Sequence, residues 1–253
     1  MTARAGRGVR RGTVRRGVHR IEKPLLRGRF VRRYKRFFAD VEFDDGRVVP
    51  VHCPNSGSMS GLQTSGAEVL VSDSEDDART LRLTLERVRV GRTWVGVNTM
   101  LPNRIVRAGI EGGLVAELAG YDDVRAEVVC GPSSRIDLLL AAPGRPRCWV
   151  EVKNTTLRDG AVARFPDAVT ERGRKHLGEL VRLVREGDRA VMFFLVNRGD
   201  CRSMGPADAI DPEYGLALRE AAAAGVELLA YRAVLRGPTA AVGRRLPVEL
   251  GTR

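Results

Sequence analysis

Long hydrophobic runs are missing from this chain of 253 residues. Its longest apolar stretch, residues 190–196, is far shorter than the ~20 residues that a helix needs to cross a bilayer. No apolar stretch follows the basic N-terminus, which argues against a secretory signal. The sequence therefore predicts a protein that neither spans a membrane nor is exported, and we expect it in the cytoplasm.

Cysteine is also scarce, and Cys53, Cys130, Cys148 and Cys201 are far apart in the sequence. No two of them have the short spacing that is typical of a zinc site. A chain of this length buries enough core to fold without the disulfides that small secreted domains need. We therefore interpret the cysteines as reduced and structural, in agreement with a cytoplasmic protein.

Lysine is rare as well, with four residues among 43 basic ones, and the positive charge is concentrated at one end. Residues 1–36 hold 14 Arg and Lys against one acid, a net charge of +13, so the remaining residues contribute −1 to the total of +12. Such an arm attracts phosphate backbones through counterion release, without reading base sequence. A compositional bias towards arginine gives the same pattern, and composition alone leaves both interpretations open.

Residues 1–22 are rich in Arg and Gly and poor in apolar groups, so we expect them to form a disordered basic arm. Between residues 23 and 98, strand-like segments alternate with Gly-rich turns. Strands are predicted at residues 25–32, 36–43, 47–53, 68–72, 81–90 and 93–97. Short strands at this close spacing are typical of a small antiparallel barrel, and an OB-like barrel suits the length.

Residues 99–253 show a different pattern. A helix is expected over residues 103–119, interrupted near Gly112, and strands at 134–141 and 148–154 then flank a Pro143-Gly144 turn. Helix, strand, helix and strand follow at 170–186, 189–196, 213–224 and 226–233, with Thr170 as the N-cap of the first of these helices. Two antiparallel strands followed by alternating helices and strands indicate a mixed α/β sheet.

The two strands around Gly144 carry the strongest chemical signal. Alternate side chains of a strand share one face. If the hairpin folds at Gly144, the numbers of cross-strand partners sum to 288, and Asp137 then faces Glu151 with their Cβ atoms ~5 Å apart. Lys153, two residues further and ~6.7 Å along the strand, lies opposite Arg135 on the same face.

Two opposed carboxylates repel each other, and a divalent cation removes this penalty by accepting both as oxygen ligands. We therefore interpret Asp137 and Glu151 as ligands of Mg²⁺ or Mn²⁺, and Lys153 as the group that stabilises negative charge during phosphodiester hydrolysis. Such a site needs both carboxylates to converge and to be reachable from solvent. The competing interpretation is a charge ladder on a solvated sheet face, in which Arg135 and Lys153 neutralise the acids. A register slip of one residue would place the acids on opposite faces.

Asp137 and the Glu151-x-Lys153 motif resemble the PD-(D/E)XK nuclease superfamily, although Ile136 stands where that motif has proline. Longer strings resemble the sugar fermentation stimulation protein family, in its order and spacing over residues 23–250. These strings are Arg33-Tyr34-Lys35-Arg36-Phe37-Phe38-Ala39-Asp40-Val41, His52-Cys53-Pro54-Asn55-Ser56-Gly57-Ser58-Met59, Ser134-Arg135-Ile136-Asp137, Val150-Glu151-Val152-Lys153 and Phe165-Pro166-Asp167-Ala168-Val169-Thr170-Glu171-Arg172-Gly173.

The resemblance implies an OB-like barrel followed by a mixed-sheet, restriction-endonuclease-like α/β domain, and DNA binding without strong sequence preference. It also suggests Glu117, on the helix before the hairpin, as a further metal ligand, with a solvated surface acid as the alternative. The label of the family describes a regulatory phenotype in sugar use, so the resemblance leaves catalytic activity open.

Candidate nucleic-acid contacts lie in three segments where basic groups stand beside aromatic or polar ones. They are Arg33, Tyr34, Lys35 and Arg36 near the first strands, followed by Phe37 and Phe38; His52, Asn55, Ser56 and Ser58 in the next loop; and Arg172, Lys175 and His176 near a helix start. Basic and polar groups suit phosphates, and aromatic rings suit bases. Each segment also has a structural interpretation, respectively a strand with at least one phenylalanine in the core, a tight polar turn and a solvated helix face.

Two functions are therefore carried forward from the sequence. The first is a metal-dependent nuclease that acts on single- or double-stranded DNA. The second is a DNA-associated regulator that keeps the nuclease fold without turnover. Binding of DNA is common to both, and RNA is compatible with the same groups.

Overall fold

The computed structural model of the chain describes residues 16–131 and 134–251. Most of the predicted basic arm, residues 1–15, therefore lies outside the described residues. The end of the arm differs from the expectation, because Val18–Arg20 forms a strand, β1, that pairs with residues 239–241. Gly17 packs against Gly112 so closely that a Cβ atom on Gly112 would lie 2.3 Å from the Gly17 Cα atom. These residues are held because their backbone completes the edge of a sheet.

The first domain is, within the described residues, a barrel of six strands. They are β2 (Leu25–Tyr34), β3 (Phe38–Glu42), β4 (Val48–His52), β5 (Glu68–Asp73), β6 (Leu83–Val90) and β7 (Thr93–Gly96). The sheet order is β4-β3-β2-β5-β6-β7, and a pairing of His52 with Thr84 joins β4 to β6. Phe30, Val41 and Leu85 fill the interior. The predicted antiparallel barrel is confirmed.

The second domain combines a large mixed sheet with helices on both of its faces. Its elements are α1 (Pro102–Glu111), a 3-10 helix (Ala116–Leu118), β8 (Asp123–Gly131), β9 (Ser134–Ala141), β10 (Cys148–Thr155), β11 (Leu157–Asp159), β12 (Val162–Phe165), α2 (Glu171–Arg185), β13 (Arg189–Val196), β14 (Ser203–Pro206), α3 (Pro212–Ala223), β15 (Glu227–Arg236) and β16 (Thr239–Leu246). The order of the large sheet is β1-β16-β15-β13-β10-β9-β8, and β11, β12 and β14 form a small sheet. β10, β13 and β15 run parallel, which confirms the predicted mixed α/β sheet.

The central strand β10 is covered on both sides by helices. Thr170 caps α2 as predicted, because its Oγ1 atom accepts a hydrogen bond of 3.0 Å from the Gly173 amide. Leu177 and Leu180 of α2 pack on one face of the sheet, and Ile105 of α1 packs on the other. The helix predicted over 103–119 ends at residue 111, and Gly113 has φ +73° in the left-handed region that glycine adopts readily. No helix in the described ranges is long and apolar enough for a membrane span.

The two domains are joined by a buried arginine of the barrel, Arg87, which is 2% exposed. Its guanidinium donates hydrogen bonds of 2.8 Å to the Gly237 carbonyl and 2.9 Å to the Thr239 carbonyl. Burial lowers the pKa of Arg87 to about 10. A second link runs from the Gly96 amide to the Asn197 carbonyl at 2.8 Å. The clefts between the domains therefore have fixed walls.

Candidate active site

The register of the β9–β10 hairpin follows the prediction. Cys148 pairs with Leu140, Trp149 with Leu139 and Val150 with Leu138, so that each pair of numbers sums to 288. Beyond Val150 the two backbones separate. The Asp137 side chain enters the gap, and its Oδ2 atom accepts a hydrogen bond of 2.8 Å from the Val152 amide. A carboxylate therefore takes the place of the β9 backbone as the partner of β10.

Asp137 is also held from the opposite direction by the first turn of α1. The Asn103 side-chain amide donates a hydrogen bond of 2.7 Å to its Oδ1 atom. Burial, followed by the charge of Glu151, raises the pKa of Asp137 to about 6. Asp137 bonds the amide of the residue that follows Glu151, so the two acids lie on neighbouring stretches of β9 and β10.

Glu151 is 2% exposed and lies under α2. Its Oε1 atom accepts a hydrogen bond of 2.6 Å from Lys153 Nζ and also contacts His176 Nδ1. Burial acts to raise the pKa of Glu151, but the His176 and Lys153 contacts outweigh it and hold the pKa below its usual value. Its Oε2 atom is buried and has no hydrogen-bond partner among the described residues. Glu151 is thus an ionised carboxylate with one oxygen left open.

The charge-ladder interpretation holds for one pair only, because Lys153 pairs with Glu151 at 2.6 Å. Arg135 pairs with Glu127 of β8 at 3.7 Å instead of with the central acids, and Glu151 is buried, not solvated. The expected exposure holds for one of the two acids only. Asp137 lines an open cleft of about 510 Å³, together with Arg172, Lys175 and His176, whereas Glu151 lies behind His176 and Lys153.

The donor set fits a hard divalent cation in part. Across residues 16–131 and 134–251, no group of three or more His, Cys, Asp or Glu side chains is arranged to hold a metal ion. Asp137 and the open Oε2 atom of Glu151 do supply two carboxylates. Mg²⁺ and Mn²⁺ prefer oxygen ligands, and Mg²⁺ commonly takes one or two carboxylates and keeps several waters. The residues therefore offer two carboxylates to such a cation, of which Asp137 alone lines the cleft.

Glu117 lies in the 3-10 helix, and the structure does not bring it to this group. Its carboxylate accepts a hydrogen bond of 2.5 Å from Tyr231 Oη and pairs with Arg245 at 3.0 Å. Tyr231 belongs to the core on the α1 side of the sheet, whereas Glu151 contacts α2. Glu117 therefore lies on the other face of the sheet, where Tyr231 and Arg245 engage both of its oxygens.

Several predicted nucleic-acid contacts instead hold the first domain together. Arg33 donates hydrogen bonds of 2.6 Å to the Asn55 carbonyl and 2.9 Å to the Gly57 carbonyl. Asn55 is 4% exposed and its side chain bonds the Val97 carbonyl at 3.2 Å. Tyr34 donates a hydrogen bond of 3.0 Å to Asp40. These polar groups have structural partners, so their assignment as nucleic-acid contacts gains nothing from the geometry.

Other members of the same segments remain at the surface. Lys35 and Arg36 form a tight turn with φ of +44° and +64°, and both are exposed. Arg36 and Ser56 line an interdomain cleft of about 320 Å³ that also includes Arg164. Phe37 is 43% exposed, and Phe38 is half-buried and stacks on Tyr34. The expectation that one of these phenylalanines fills the core is wrong, because the turn at Lys35 and Arg36 shifts both to the barrel surface.

The predicted contacts at the end of β4 and in the following loop line two different clefts. Asn55 and Ser56 line the interdomain cleft with Arg36, whereas His52 lines a separate cleft beside β1. Ser58 contacts Asp167 of the second domain at 3.4 Å. The loop is therefore not one continuous phosphate-binding surface.

The three residues near the start of α2 also differ in role. Arg172 and Lys175 are exposed at the cleft that Asp137 lines. His176 is 8% exposed and contacts Glu151, and Arg172 Nε lies 3.4 Å from its Nε2 atom. His176 is therefore part of the carboxylate cluster and not a freely exposed contact for nucleic acid.

Two residues of this site were missed in the sequence. Asn103 orients Asp137, and no local sequence pattern marks it as a neighbour of that strand. Tyr214 of α3 is fully buried, and its Oη atom has no partner in the described part of the chain. Burial, followed by the charge of Glu151, raises the pKa of Tyr214. No local sequence pattern marks Tyr214 as a neighbour of Glu151.

Comparisons with known proteins cover most of the chain. The model of the SfsA N-terminal OB domain matches residues 31–97, and that of the Sugar fermentation stimulation protein RE domain matches residues 100–238. A sugar fermentation stimulation protein homolog of Geobacter sulfurreducens is 56% identical over 91% of this chain and 99% of its own length. A homolog of Pelobacter propionicus is 59% identical over 90% of this chain and 98% of its own. The solved structure of Pyrococcus furiosus SfsA in complex with Ca²⁺ has a TM-score of 0.82 and 27% identity, and the match covers 91% of this chain and 98% of that one.

Proposed function

Because this chain belongs to the sugar fermentation stimulation protein family, we propose that it binds DNA and hydrolyses its phosphodiester bonds at Asp137, Glu151 and Lys153. One observation carries the proposal. Two carboxylates lie where β9 and β10 separate, one with a pKa raised to about 6 and the other with a buried oxygen that lacks a partner among the described residues. Perturbed carboxylates beside an open cleft are typical of catalytic sites.

Each residue has a distinct task in this proposal. Asp137 and the Glu151 Oε2 atom hold Mg²⁺ or Mn²⁺, while Asn103 fixes the orientation of Asp137. When bound, such a cation lowers the pKa of water and offsets negative charge on the phosphate. Lys153, whose Nζ atom lies 2.6 Å from Glu151 Oε1, adds a positive charge close to the scissile phosphate. The Ca²⁺ of the solved relative belongs to that protein, and the choice of Mg²⁺ or Mn²⁺ here depends on the two carboxylates.

DNA is the proposed polymer because cations line the cleft at Asp137. Arg172 and Lys175 are exposed on its rim, and Arg36 and Arg164 line the neighbouring interdomain cleft. Arginine and lysine at such positions contact phosphates without reading bases, which supports binding without sequence preference. A DNA partner would place the protein in the cytoplasm, as the sequence predicts.

The nuclease proposal is tested with purified full-length protein and labelled single- and double-stranded DNA. Cleavage is measured with Mg²⁺, with Mn²⁺ and with EDTA, for the parent, Glu151→Gln and Glu111→Gln. Glu111 is the matched control, because it is an exposed glutamate paired with Arg107 at 2.7 Å on α1. We expect cleavage that needs metal, is lost in Glu151→Gln and persists in Glu111→Gln. Equal cleavage by the parent and Glu151→Gln would reject the site.

A DNA-associated regulator without turnover is the second candidate. The burial of Glu151, together with the lack of a third metal-binding side chain in the described ranges, favours it. This candidate predicts DNA binding and no cleavage with either metal. A parallel set of reactions with RNA of the same sequence distinguishes a preference for RNA from inactivity.

A further inference from the structure

A second cleft, of about 520 Å³, lies where β1, the barrel and α1 meet. Its volume is within the range of ~300–1,000 Å³ that is usual for small-ligand sites. It shares no lining residue with the cleft at Asp137, in the part of the chain that the structure describes. The chemically distinctive residues of its wall are His19, Lys23, His52, Arg79, Glu86 and Arg104.

The rim of this cleft is electropositive. Arg79 of the barrel and Arg104 of α1 line it together with Arg20, Lys23 and the acid Glu22, and neither Arg79 nor Arg104 has a carboxylate within 4.0 Å in residues 16–131 and 134–251. Their charges act on the two histidines of the cleft. Burial lowers the pKa of His19 and of His52. Arg104 lowers the pKa of His19 further, against the opposing charge of Glu22, and Arg79 lowers the pKa of His52 further. Two arginines that are free of acids and face one cavity suit a phosphate group.

The floor of the cleft carries a buried carboxylate. Glu86 is 5% exposed and accepts hydrogen bonds of 2.7 Å from Ser72 at Oε1 and 2.9 Å from Asn98 at Oε2. Both donors are neutral, and within the described ranges no cation lies within 4.0 Å of Glu86. Each carboxylate oxygen can accept a further hydrogen bond. Glu86 is therefore a pre-oriented acceptor for a ligand with two adjacent donors.

Part of the remaining wall is apolar, beside the polar side chains of Ser72, Thr84 and Asn98. Ile21 and Pro54 are buried against the cleft, and Met100 is 67% exposed at its mouth. An exposed methionine beside an apolar wall offers a polarisable surface to a flat ring, since thioethers pack well on aromatic systems. The cleft thus combines an apolar slot, an acidic floor and a basic rim.

We propose that this cleft binds a nucleoside phosphate, and that guanine is the preferred base. A guanine edge presents two adjacent N–H donors to Glu86, while the ring lies in the slot formed by Ile21 and Pro54. Arg79 and Arg104 contact the phosphate. Adenine offers one amino group beside an acceptor nitrogen, so it makes one hydrogen bond to Glu86 and meets repulsion at the other oxygen.

The position of this cleft links it to the candidate active site through α1. Arg104 lines the cleft, and the preceding residue, Asn103, donates its hydrogen bond of 2.7 Å to Asp137. A ligand at Arg104 therefore acts on the same helical turn that orients Asp137. The existence of the nucleotide site does not depend on catalysis at Asp137, and its test is independent of cleavage.

Isothermal titration calorimetry of the full-length protein in EDTA tests the proposal with GMP, AMP, guanosine and inorganic phosphate. We expect GMP to bind more tightly than each of the others. Arg104→Gln should weaken GMP binding about tenfold or more, because a charge-assisted phosphate contact is lost. Arg107→Gln is the matched control on the same helix, since Arg107 is exposed and pairs with Glu111 instead of lining the cleft, and it should bind GMP as the parent does.

Two further variants locate the ligand. Glu86→Gln should reduce the preference for GMP over AMP, and Arg125→Gln, an exposed variant of β8 outside the cleft, should bind GMP as the parent does. Competition with a short oligonucleotide that carries a 5′-terminal guanosine phosphate shows whether the site also accepts the end of a polymer; displacement of GMP supports the same cleft with a polymer end as its ligand. Absence of GMP binding at millimolar concentration, equal loss in Arg104→Gln and Arg107→Gln, or loss in Arg125→Gln would overturn the proposal.

Discussion

Two buried glutamates, Glu151 in the mixed sheet and Glu86 in the barrel, satisfy opposite requirements of a buried charge. Glu151 is 2% exposed and has Lys153 and His176 at one oxygen, with nothing at the other among the described residues. Glu86 is 5% exposed and has a neutral donor at each oxygen. The first carboxylate has cationic partners at one oxygen and no partner at the other, whereas the second has one neutral donor at each oxygen and no cation within 4.0 Å in the described ranges.

This difference indicates what each site lacks. Burying an ion is costly unless both its charge and its hydrogen bonds are compensated. Glu151 has a buried oxygen without a partner in the described ranges, which suits a cation shared with Asp137. Glu86 has an uncompensated negative charge at the bottom of a cleft with a basic rim, which suits a ligand with donors at one end and a phosphate at the other. The same residue type therefore supports two different chemical expectations.

The largest effect is expected from removing the ammonium group of Lys153, which lies beside Glu151. Lys153→Met deletes the ammonium group at 2.6 Å from Oε1 while keeping the length of the side chain. Loss of one group that stabilises developing charge lowers catalysis by about 10²–10³-fold, and DNA cleavage rates with Mg²⁺ measure it. Arg125→Gln removes an exposed cation of β8 that pairs with Asp123, and its rate should stay at the parental value. Equal losses in both variants would show that Lys153 contributes only bulk positive charge.

The two glutamates are also expected to differ in how much each contributes to the free energy of unfolding. Glu151→Gln leaves Lys153 without its anion, and breaking a buried pair in this way lowers the free energy of unfolding by about 3 kcal/mol. Glu86→Gln keeps a similar shape, and the Ser72 hydroxyl can reverse to accept from the new amide, so its change should be below about 1 kcal/mol. Urea unfolding at pH 7 in EDTA measures both. A larger loss in Glu86→Gln than in Glu151→Gln would contradict the comparison.

Replacement of Asp137 is expected to raise the free energy of unfolding, in contrast to the replacements of the two glutamates. Its pKa in the folded protein is about 6 against an ordinary value of 3.8. The folded state therefore binds the proton more tightly than the unfolded state, and between these two pH values the free energy of unfolding falls as pH rises. A shift of about 2 units at 1.36 kcal/mol each corresponds to about 3 kcal/mol. Asp137→Asn stays neutral and should escape this penalty.

Allowing about 1 kcal/mol for an imperfect hydrogen bond, we expect Asp137→Asn to be about 2 kcal/mol more stable than the parent at pH 8 and to lose this advantage near pH 4. Thermal and urea unfolding across this pH range in metal-free buffer test it. A variant that is less stable than the parent at pH 8 would show that Asp137 is not under electrostatic strain.

The fold could be predicted from the sequence where local patterns determine it. The barrel strands alternate, Thr170 caps α2 as expected, and the turn at Gly144 sets the β9–β10 register. Strands without an apolar pattern were missed. β8 is mostly exposed, and β16 contains Gly243, Arg244 and Arg245, so neither resembles a buried strand. These strands form because neighbouring strands supply their backbone partners, and that information is not local.

The residues of the candidate site also differ in whether a local sequence pattern predicts their position. Asp137, Glu151 and Lys153 lie on one hairpin, so their convergence follows from strand alternation and a turn. Asn103 and His176 approach from helices 34 residues before Asp137 and 25 residues after Glu151. Their contacts depend on how α1 and α2 pack on the sheet, which no local pattern reports. The burial of Glu151 was unforeseen for the same reason, since α2 covers it.

The smallest effect, and the one that links the two regions, is expected at Asn103. Asn103→Ala removes the 2.7 Å hydrogen bond to Asp137 Oδ1. Loss of one such bond is worth about 1–1.5 kcal/mol, or about tenfold in the DNA cleavage rate at fixed Mg²⁺. If Asn103 acts by orienting Asp137, part of this loss should be recovered at higher Mg²⁺, because more metal offsets a weaker ligand. Asn103→Asp would instead place a carboxylate beside Asp137 and should raise the pKa of the pair, moving the pH profile of cleavage upwards. A purely structural role would lower stability and leave that profile in place.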